Sequence, residues 1–170
     1  MHLTTVILDG STSAGRVEGD EVVLLDAPDV GAVFARGGAV EAGGSILFAD
    51  ARLAPMVTAP DKIVCVGVNY FDHIAEMGRD KPAAPTYFAK YRSALIGARD
   101  DIALPSPDIS THIDWEAELA IVIGSTVRDA SADEALAAIG GPAMPALPDL
   151  LEMLAETPDE ADPRGMQQRY

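Results

Sequence analysis

The sequence predicts an α+β fold that is mainly β, because strand patterns outnumber helical patterns along its 170 residues. Three segments support this prediction: a strand–turn–strand pattern near the N-terminus, a continuous apolar run at residues 62–70, and the segment 113–123, where acidic and apolar side chains alternate. Alternation with a period of two is typical of a strand, because successive side chains point to opposite faces. The helical patterns are short.

The N-terminal part is predicted to form short strands and one helix. A strand is expected from Thr4 to Leu8, followed by a hairpin around the turn at Gly19 and Asp20. A helix is expected from Pro28 to Ala35, because its apolar residues are spaced three and four positions apart. Gly43-Gly44 and residues 55–60 predict a linker, which puts a domain boundary near residue 60.

The apolar run from Lys62 to Tyr70 is predicted to be a strand buried on both faces, with Cys65 as an inert core thiol. A helical turn over residues 71–78 would place His73 and Glu76 on one side, three positions apart. A carboxylate beside an imidazole fixes its tautomer and raises its basicity, so this pair is a candidate for activating water. A surface histidine near a surface glutamate, without a catalytic role, is the alternative.

The segment from Ile113 to Ile123 carries the strongest functional signal. On an extended strand Glu116 and Glu118 share one face. Neighbouring carboxylates repel each other, and the arrangement is easiest to explain if a cation lies between them. The pattern therefore predicts a site for a hard metal ion, with a solvated polar face as the alternative. The opposite face is apolar and consists of Trp115, Ala117, Leu119, Ile121 and Ile123.

The C-terminal part is predicted to contain two helices. Ser131 and Glu134 form a capping-box pattern at the start of a helix through Ile139, which two glycines end. The tail, residues 142–170, has leucines at helical spacing, and from Thr157 on it is polar, acidic and expected to be loose. The leucines are Leu147, Leu150, Leu151 and Leu154.

Composition excludes several classes of partner. The formal net charge of −15 argues against binding to nucleic acid or to an acidic membrane surface. One cysteine allows no disulfide within the chain. The N-terminus lacks a signal-peptide pattern, and no apolar run approaches the roughly 18 residues of a membrane span. The sequence thus predicts a cytoplasmic protein.

Taken in order, these motifs resemble the fumarylacetoacetate hydrolase family. The resemblance rests on G-x-N-Y-x-x-H-x-x-E, P-T-Y-F-A-K, D-I-A-L-P and D-W-E-A-E-L-A-I-V-I-G. It extends from about residue 60 to Gly141. It implies a mixed, mostly antiparallel β roll or sandwich. The implied domains are a small N-terminal β-rich region (1–59), a partial catalytic domain (60–141) and a divergent tail (142–170).

The resemblance also implies a chemistry. Family members bind Mg²⁺ or Mn²⁺, and the reaction it implies is cleavage of a carbon–carbon bond in acylpyruvates or fumarylacetoacetate-like 1,3-dicarbonyl acids. Glu116 and Glu118 would be metal ligands, His73 and Glu76 would handle the catalytic water, and Lys90 would pair with a substrate carboxylate. Isomerisation, hydration or decarboxylation of a related enol acid stays open, as does a non-catalytic family remnant.

After Gly141 the sequence departs from the family pattern. A third metal ligand is expected within an N-D-x-S-x-R-D motif, at a spacing where this chain has Leu147, and a G-K-x-x-D segment is missing as well. Two explanations compete: a truncated, altered reading frame, or an insertion before a degenerate motif in which Glu160 takes the ligand position. Either way the fold is expected to be incomplete at its C-terminus. Open strand edges then predict that the chain dimerises, recruits a complete partner or aggregates, and a homodimer is the expected form.

Overall fold

The structure, a computed structural model, describes residues 1–114, 116 and 118–140. These residues belong to two compact units: His2–Val33 with Ala39–Glu118, and Met1 with Phe34–Gly38 and the chain from Leu119. Seven strands and a few short helices confirm the predicted α+β, mainly β class for the described residues. The strands are β1 (His2–Leu8), β2 (Ser11–Glu18), β3 (Glu21–Leu25), β4 (Ala42–Leu47), β5 (Arg52–Leu53), β6 (Ile63–Gly67) and β7 (Thr86–Lys90). The helices are α1 (Val30–Ala35), α2 (Phe71–Glu76), α3 (Ala132–Ala137) and a 3₁₀ turn at Arg92–Ala94.

The first sheet has the strand order β4-β3-β2-β1-β5, with antiparallel neighbours throughout. Its predicted hairpin is confirmed, because Glu18 pairs with Glu21 across a tight turn in which Gly19 has φ +58°. Positive φ at that position is accessible to glycine without the steric cost of a Cβ. The two faces of the sheet bury separate apolar clusters, so the sheet is the core of its unit. One cluster consists of Val6, Val22, Ala51 and Leu53, the other of Ala14, Leu25, Ala27 and Val33.

One prediction for the N-terminal part requires correction. The Gly43-Gly44 pair, predicted to be linker, lies inside β4, which pairs with β3. Hydrogen bonds to the backbone of β3 outweigh the conformational freedom of the two glycines. Residues 55–60 form neither helix nor strand, and within them Met56 and Thr58 are hydrogen-bonded to Thr5 and Asp29. The boundary near residue 60 stays a prediction.

Asp29 joins the start of α1 to the segment that leaves the first sheet. One carboxylate oxygen accepts from the backbone N–H of Ala32 (2.8 Å), and the other accepts from the N–H (2.9 Å) and hydroxyl (2.7 Å) of Thr58. Thr5, fully buried beside it, donates to the carbonyl of Met56 (2.7 Å) and accepts from the N–H of Val30 (3.2 Å). These bonds satisfy the helix start and fix the chain on its way to β6.

In the described part of the chain the second sheet contains only β6 and β7, paired antiparallel from Ile63 with Lys90 to Gly67 with Thr86. Every residue of β7 is exposed, and Val64 of β6 is 61% exposed. The prediction of a strand buried on both faces is therefore wrong for the described chain, where no third strand pairs with this ribbon. Cys65 is half-buried, not a core thiol as predicted.

The predicted strand over residues 113–123 is not formed by its described residues. Apart from a single bridge between Ile123 and Ile139, they have no β partner. An extended segment becomes a strand only when another strand satisfies its backbone groups, and the sequence pattern does not supply that partner. Trp115 and Ala117 lie outside the described residues, so their predicted face stays a prediction.

The capping box of α3 is confirmed in both directions. The hydroxyl of Ser131 accepts from the N–H of Glu134, and the Glu134 carboxylate accepts from the N–H and hydroxyl of Ser131, both at 2.8 Å. These bonds from the backbone and side chain of Ser131 lower the pKa of Glu134 below its ordinary value. The helix ends at Ala137, two residues before the predicted Ile139. Gly141 and the segments of the tail for which predictions were made, including the leucine helix and Glu160, lie outside the described residues.

None of the described helices has the length and apolar composition that a membrane crossing requires.

Replacing Asp29 with asparagine is expected to lower the free energy of unfolding by about 1–3 kcal/mol at pH 7. Burial raises the pKa of Asp29, but the bonds from Thr58, Ala32 and Gly31 together outweigh it, so the pKa lies below its ordinary value. The ionised form therefore stabilises the fold at neutral pH, and this contribution is lost as the pH falls below about 4. Urea denaturation between neutral and acidic pH measures it, with the exposed Asp61→Asn as the control. A gap between wild type and Asp29→Asn that stays constant down to acidic pH would contradict this account.

Candidate active site

An open, polar cavity of about 530 Å³ lies in the larger unit and is lined by Lys90, Asp114, Glu116 and Glu118. Three carboxylates and one ammonium group therefore line it, although the three carboxylates of these described residues are not close enough together to form a metal-binding cluster. In a cavity of this composition the carboxylates attract a cation and the ammonium group attracts an anion. The cavity is therefore suited to a cation together with an anion, or to an anionic ligand that itself binds a cation.

Lys90 reaches the cavity from the end of β7. Its backbone pairs with Ile63 of β6, and the 3₁₀ turn begins two residues later at Arg92. Glu116 and Glu118 line the same cavity from the other segment. Glu116 and Glu118 are separated by one residue, and this is the spacing from which the sequence predicts that both side chains lie on the same face. Their role as metal ligands stays a prediction, as does the role of Lys90 toward a substrate.

The donor set is suited to a weakly held divalent ion but not to a fully liganded one. Among the described residues no three His, Cys, Asp or Glu side chains come together to hold a metal ion. Mg²⁺ commonly takes only one or two protein carboxylates and keeps water or substrate in its remaining positions. Glu116 and Glu118 meet that minimal demand, and a third protein ligand is not assembled by the described part of the chain.

His73 and Glu76 lie one turn apart on α2, as the sequence predicts. The His73 Nδ1 atom is 3.8 Å from a carboxylate oxygen of Glu76, and both side chains are at least half exposed. That distance is an ionic contact if the imidazole is protonated, and it is too long for a hydrogen bond. Neither residue lines the cavity described above. The structure thus pairs the two residues but does not bring them to Lys90 and the glutamates.

The turn between β6 and α2 is strained. Val68 has φ +54°, a left-handed conformation that β-branched residues rarely adopt. The chain reverses there and enters α2 two residues after Asn69, with Ile74 as the buried anchor of the helix. Strain of this kind persists only where the surroundings enforce it, and it is frequent near functional sites. Val68 lies between β6 and the helix that carries His73.

Asp114 is the cavity residue that sequence reasoning missed. It precedes Glu116 by two positions, as Glu116 precedes Glu118, so all three acidic residues have the same period-two spacing. Extending the pattern by one step back from Glu116 would have included it.

Comparison with known proteins decides the family. The family model of the fumarylacetoacetate (FAA) hydrolase C-terminal domain matches residues 62–145, the region that contains α2, Lys90 and the acidic segment. This chain belongs to the fumarylacetoacetate hydrolase family. The predicted resemblance is confirmed.

Several enzymes in the family are similar to this chain over part of their length. The mitochondrial oxaloacetate tautomerase of Homo sapiens is 45% identical over 89 residues, and that of Bos taurus is 48% identical over the same number. This stretch is 52% of the present chain and 27% of each relative. The 2,4-didehydro-3-deoxy-L-rhamnonate hydrolase of a Sphingomonas strain is 41% identical over 110 residues, which are 65% of this chain and 38% of that enzyme.

Two solved structures share the fold. A fumarylacetoacetate hydrolase from the psychrophile Exiguobacterium antarcticum matches with a TM-score of 0.65 at 28% identity, and a protein from Mycobacterium abscessus with a TM-score of 0.61 at 30% identity. The matches cover 81% and 82% of this chain and 52% of each solved chain. They confirm the predicted fumarylacetoacetate hydrolase-like fold, of which this chain spans about half.

Replacing Val68 with glycine is expected to destabilise the protein less than replacing Val66 with glycine, by about 1–2 kcal/mol, because only Val68 is relieved of a left-handed conformation. The two valines are a matched pair, since both are half-buried and Val66 lies in the regular part of β6. Thermal or urea denaturation of both variants measures the difference. Equal losses of stability would show that the turn is not strained.

Proposed function

We propose that this chain is an enzyme of small enolisable oxo acids that uses Mg²⁺ or Mn²⁺ and hydrolyses a carbon–carbon bond in an acylpyruvate-like 1,3-dicarbonyl acid. The observation that carries the proposal is the cavity that Lys90 lines together with Asp114, Glu116 and Glu118. The names of the relatives support it, since they are tautomerases and a hydrolase of oxo acids.

Charge balance explains why both a cation and an anion belong in this cavity. Three carboxylates and one ammonium group leave a net charge of −2 when all are ionised, so an acid anion alone would be repelled. Glu116 and Glu118 would hold a divalent ion whose charge balances that of the cavity, and Lys90 would then pair with the substrate carboxylate. The chemistry that such an ion would supply is polarisation of a carbonyl and stabilisation of developing negative charge.

In the hydrolytic reaction we assign the activation of the attacking water to His73 and Glu76. The carboxylate of Glu76 lies on the Nδ1 side of the ring, so Nε2 is the nitrogen that would take a proton from water. Because neither residue lines the cavity, α2 must approach it when substrate binds. Looser geometry without substrate is common for catalytic pairs.

A second candidate reaction, tautomerisation of an oxo acid such as oxaloacetate, is favoured by a specific observation. The relatives that are 45–48% identical over 89 residues are oxaloacetate tautomerases. Tautomerisation moves a proton between carbon and oxygen and consumes no water. It therefore requires the cavity but not a water-activating pair beside it.

We also propose a homodimer as the working form. The β6–β7 ribbon exposes apolar side chains, among them Val64, Tyr87 and Phe88, and covering such a surface with a second copy removes it from water. A cytoplasmic location and the lack of nucleic-acid or membrane partners stay predictions.

Glu116→Gln and Glu118→Gln are each expected to reduce metal-dependent turnover of acetylpyruvate by at least about 100-fold, because each removes a charged ligand of a site that has few. Turnover is measured with and without added Mg²⁺, and binding of Mn²⁺ by titration calorimetry. The exposed Glu41→Gln is the control and is expected to behave as wild type. Stabilisation by Mg²⁺ without turnover in wild type would favour the non-catalytic remnant, and equal activity in all variants would refute the metal assignment.

His73→Asn separates the two candidate reactions. If His73 activates water, the variant loses acetylpyruvate hydrolysis by about 10²–10⁴-fold. Enol-to-keto conversion of oxaloacetate, followed by the loss of enol absorbance, is expected to change little. Loss of both reactions would show that His73 serves the shared enolate and not the water. Retention of both would remove it from the mechanism.

A further inference from the structure

We infer that Arg99 is a positioning residue: it fastens the chain that follows Lys90 to the first sheet and thereby holds the Lys90 ammonium group at the cavity. This gives the N-terminal sheet a part in substrate binding. The inference rests on the proposed role of Lys90 toward an oxo-acid carboxylate.

The contacts of Arg99 are made with the turn between β4 and β5. One guanidinium nitrogen donates to the backbone carbonyls of Phe48 (3.2 Å), Ala49 (3.3 Å) and Ala51 (3.3 Å). The guanidinium carbon lies 4.8 Å from the centre of the Phe48 ring. A planar cation suits this setting, because it can bond to carbonyl oxygens at its edge and contact an aromatic ring with its face. A lysine reproduces the charge but not the combination.

Gly97 allows the same segment to pack closely against β5. A Cβ atom at this position would overlap the backbone carbonyl of Leu53, so the two backbones approach more closely than any other residue type allows. The N–H of Gly97 donates to the carboxylate of Asp100 (2.8 Å), and the N–H of Asp100 donates back to the carbonyl of Gly97 (3.0 Å). Residues 97–100 are therefore a closed turn packed on the first sheet.

The segment that connects this turn to Lys90 is short and internally hydrogen-bonded. Between them lie the 3₁₀ turn and three further residues. The N–H groups of Ala94 and Leu95 donate to the carbonyls of Tyr91 (2.9 Å) and Arg92 (3.0 Å). On its other side Lys90 is paired with Ile63 of β6. A two-stranded ribbon is marginally stable by itself, so the anchor after Lys90 decides how firmly the strand end is held.

Arg99 itself does not line the cavity. Its removal leaves the charges there unchanged and alters only how well Lys90 is held in place. The expected signature is weaker substrate binding with intact chemistry: a KM for acetylpyruvate or oxaloacetate raised by roughly 3- to 10-fold, with kcat nearly unchanged. The affinity for Mn²⁺ should stay within about twofold of wild type, since the ion is assigned to the glutamates.

The experiment compares Arg99→Ala with Arg16→Ala, a matched loss of one arginine from the first sheet, where Arg16 contacts Glu18 on the surface. Two further variants are included. Arg99→Lys keeps the positive charge and is expected to have a smaller effect, and Gly97→Ala disturbs the packing of the turn against β5 by adding a Cβ atom. Hydrogen exchange over residues 86–98 is measured for the full chain, together with KM and kcat. Arg99→Ala and Gly97→Ala are expected to accelerate exchange in this segment and to leave β1–β3 unchanged.

The outcomes separate this inference from the proposed function. Faster exchange at 86–98 with a raised KM and unchanged kcat supports both. Unchanged exchange, or faster exchange with an unchanged KM, overturns the role of Arg99 while the enzyme assignment stands. If wild type turns over neither substrate, the proposed function fails. The role of Arg99 is then tested by binding of pyruvate in the presence of Mn²⁺. Weaker binding in Arg99→Ala than in Arg16→Ala supports that role, and equal binding overturns it. Should Arg99→Ala fail to fold, Arg99→Lys provides the same comparison.

Discussion

Backbone pairing between β6 and β7 is the interaction on which the candidate site depends. The ladder runs from Ile63 and Lys90 to Gly67 and Thr86, so one end of it holds the lysine of the cavity and the other leads into the strained turn at Val68. Beyond that turn lies α2 with His73. Because the lysine and the histidine are attached to opposite ends of one short ribbon, any change of register would move both.

The two sheets are supported in different ways. The first buries apolar clusters on both faces, whereas the ribbon leaves β7 exposed along its whole length. Burial of apolar surface provides about 25 cal/mol per Å², so an exposed ribbon gains little from it. Its stability then rests on its own ladder and on its attachments to the first sheet, which are the Asp29–Thr58 bonds before β6 and the Arg99 contacts after β7. The first sheet is therefore the support on which the more open site elements are built.

Local features of the fold could be predicted from sequence, and long-range ones could not. The hairpin at Gly19 and the capping box at Ser131 depend on neighbours within a few residues, and both are confirmed. The pairing of β4 through two glycines, the exposure of β6 and the missing ladder at residues 118–122 each depend on whether a distant partner is present. Periodicity reports which side chains share a face, but it carries no information on what covers that face.

The same limit applies to the site. Glu116 and Glu118, which the period-two rule groups together, line one cavity with Asp114, which the rule includes when it is extended by one step. The rule says nothing of where His73 lies relative to these carboxylates, because that depends on the turn at Val68 and on contacts distant in sequence. Hydrolysis and tautomerisation share a polarised carbonyl and an enolate, and both fit a cavity that holds a cation and an acid anion. They differ in whether a water-activating group must reach that cavity, so the position of α2 relative to Lys90 is the structural variable that distinguishes the two reactions.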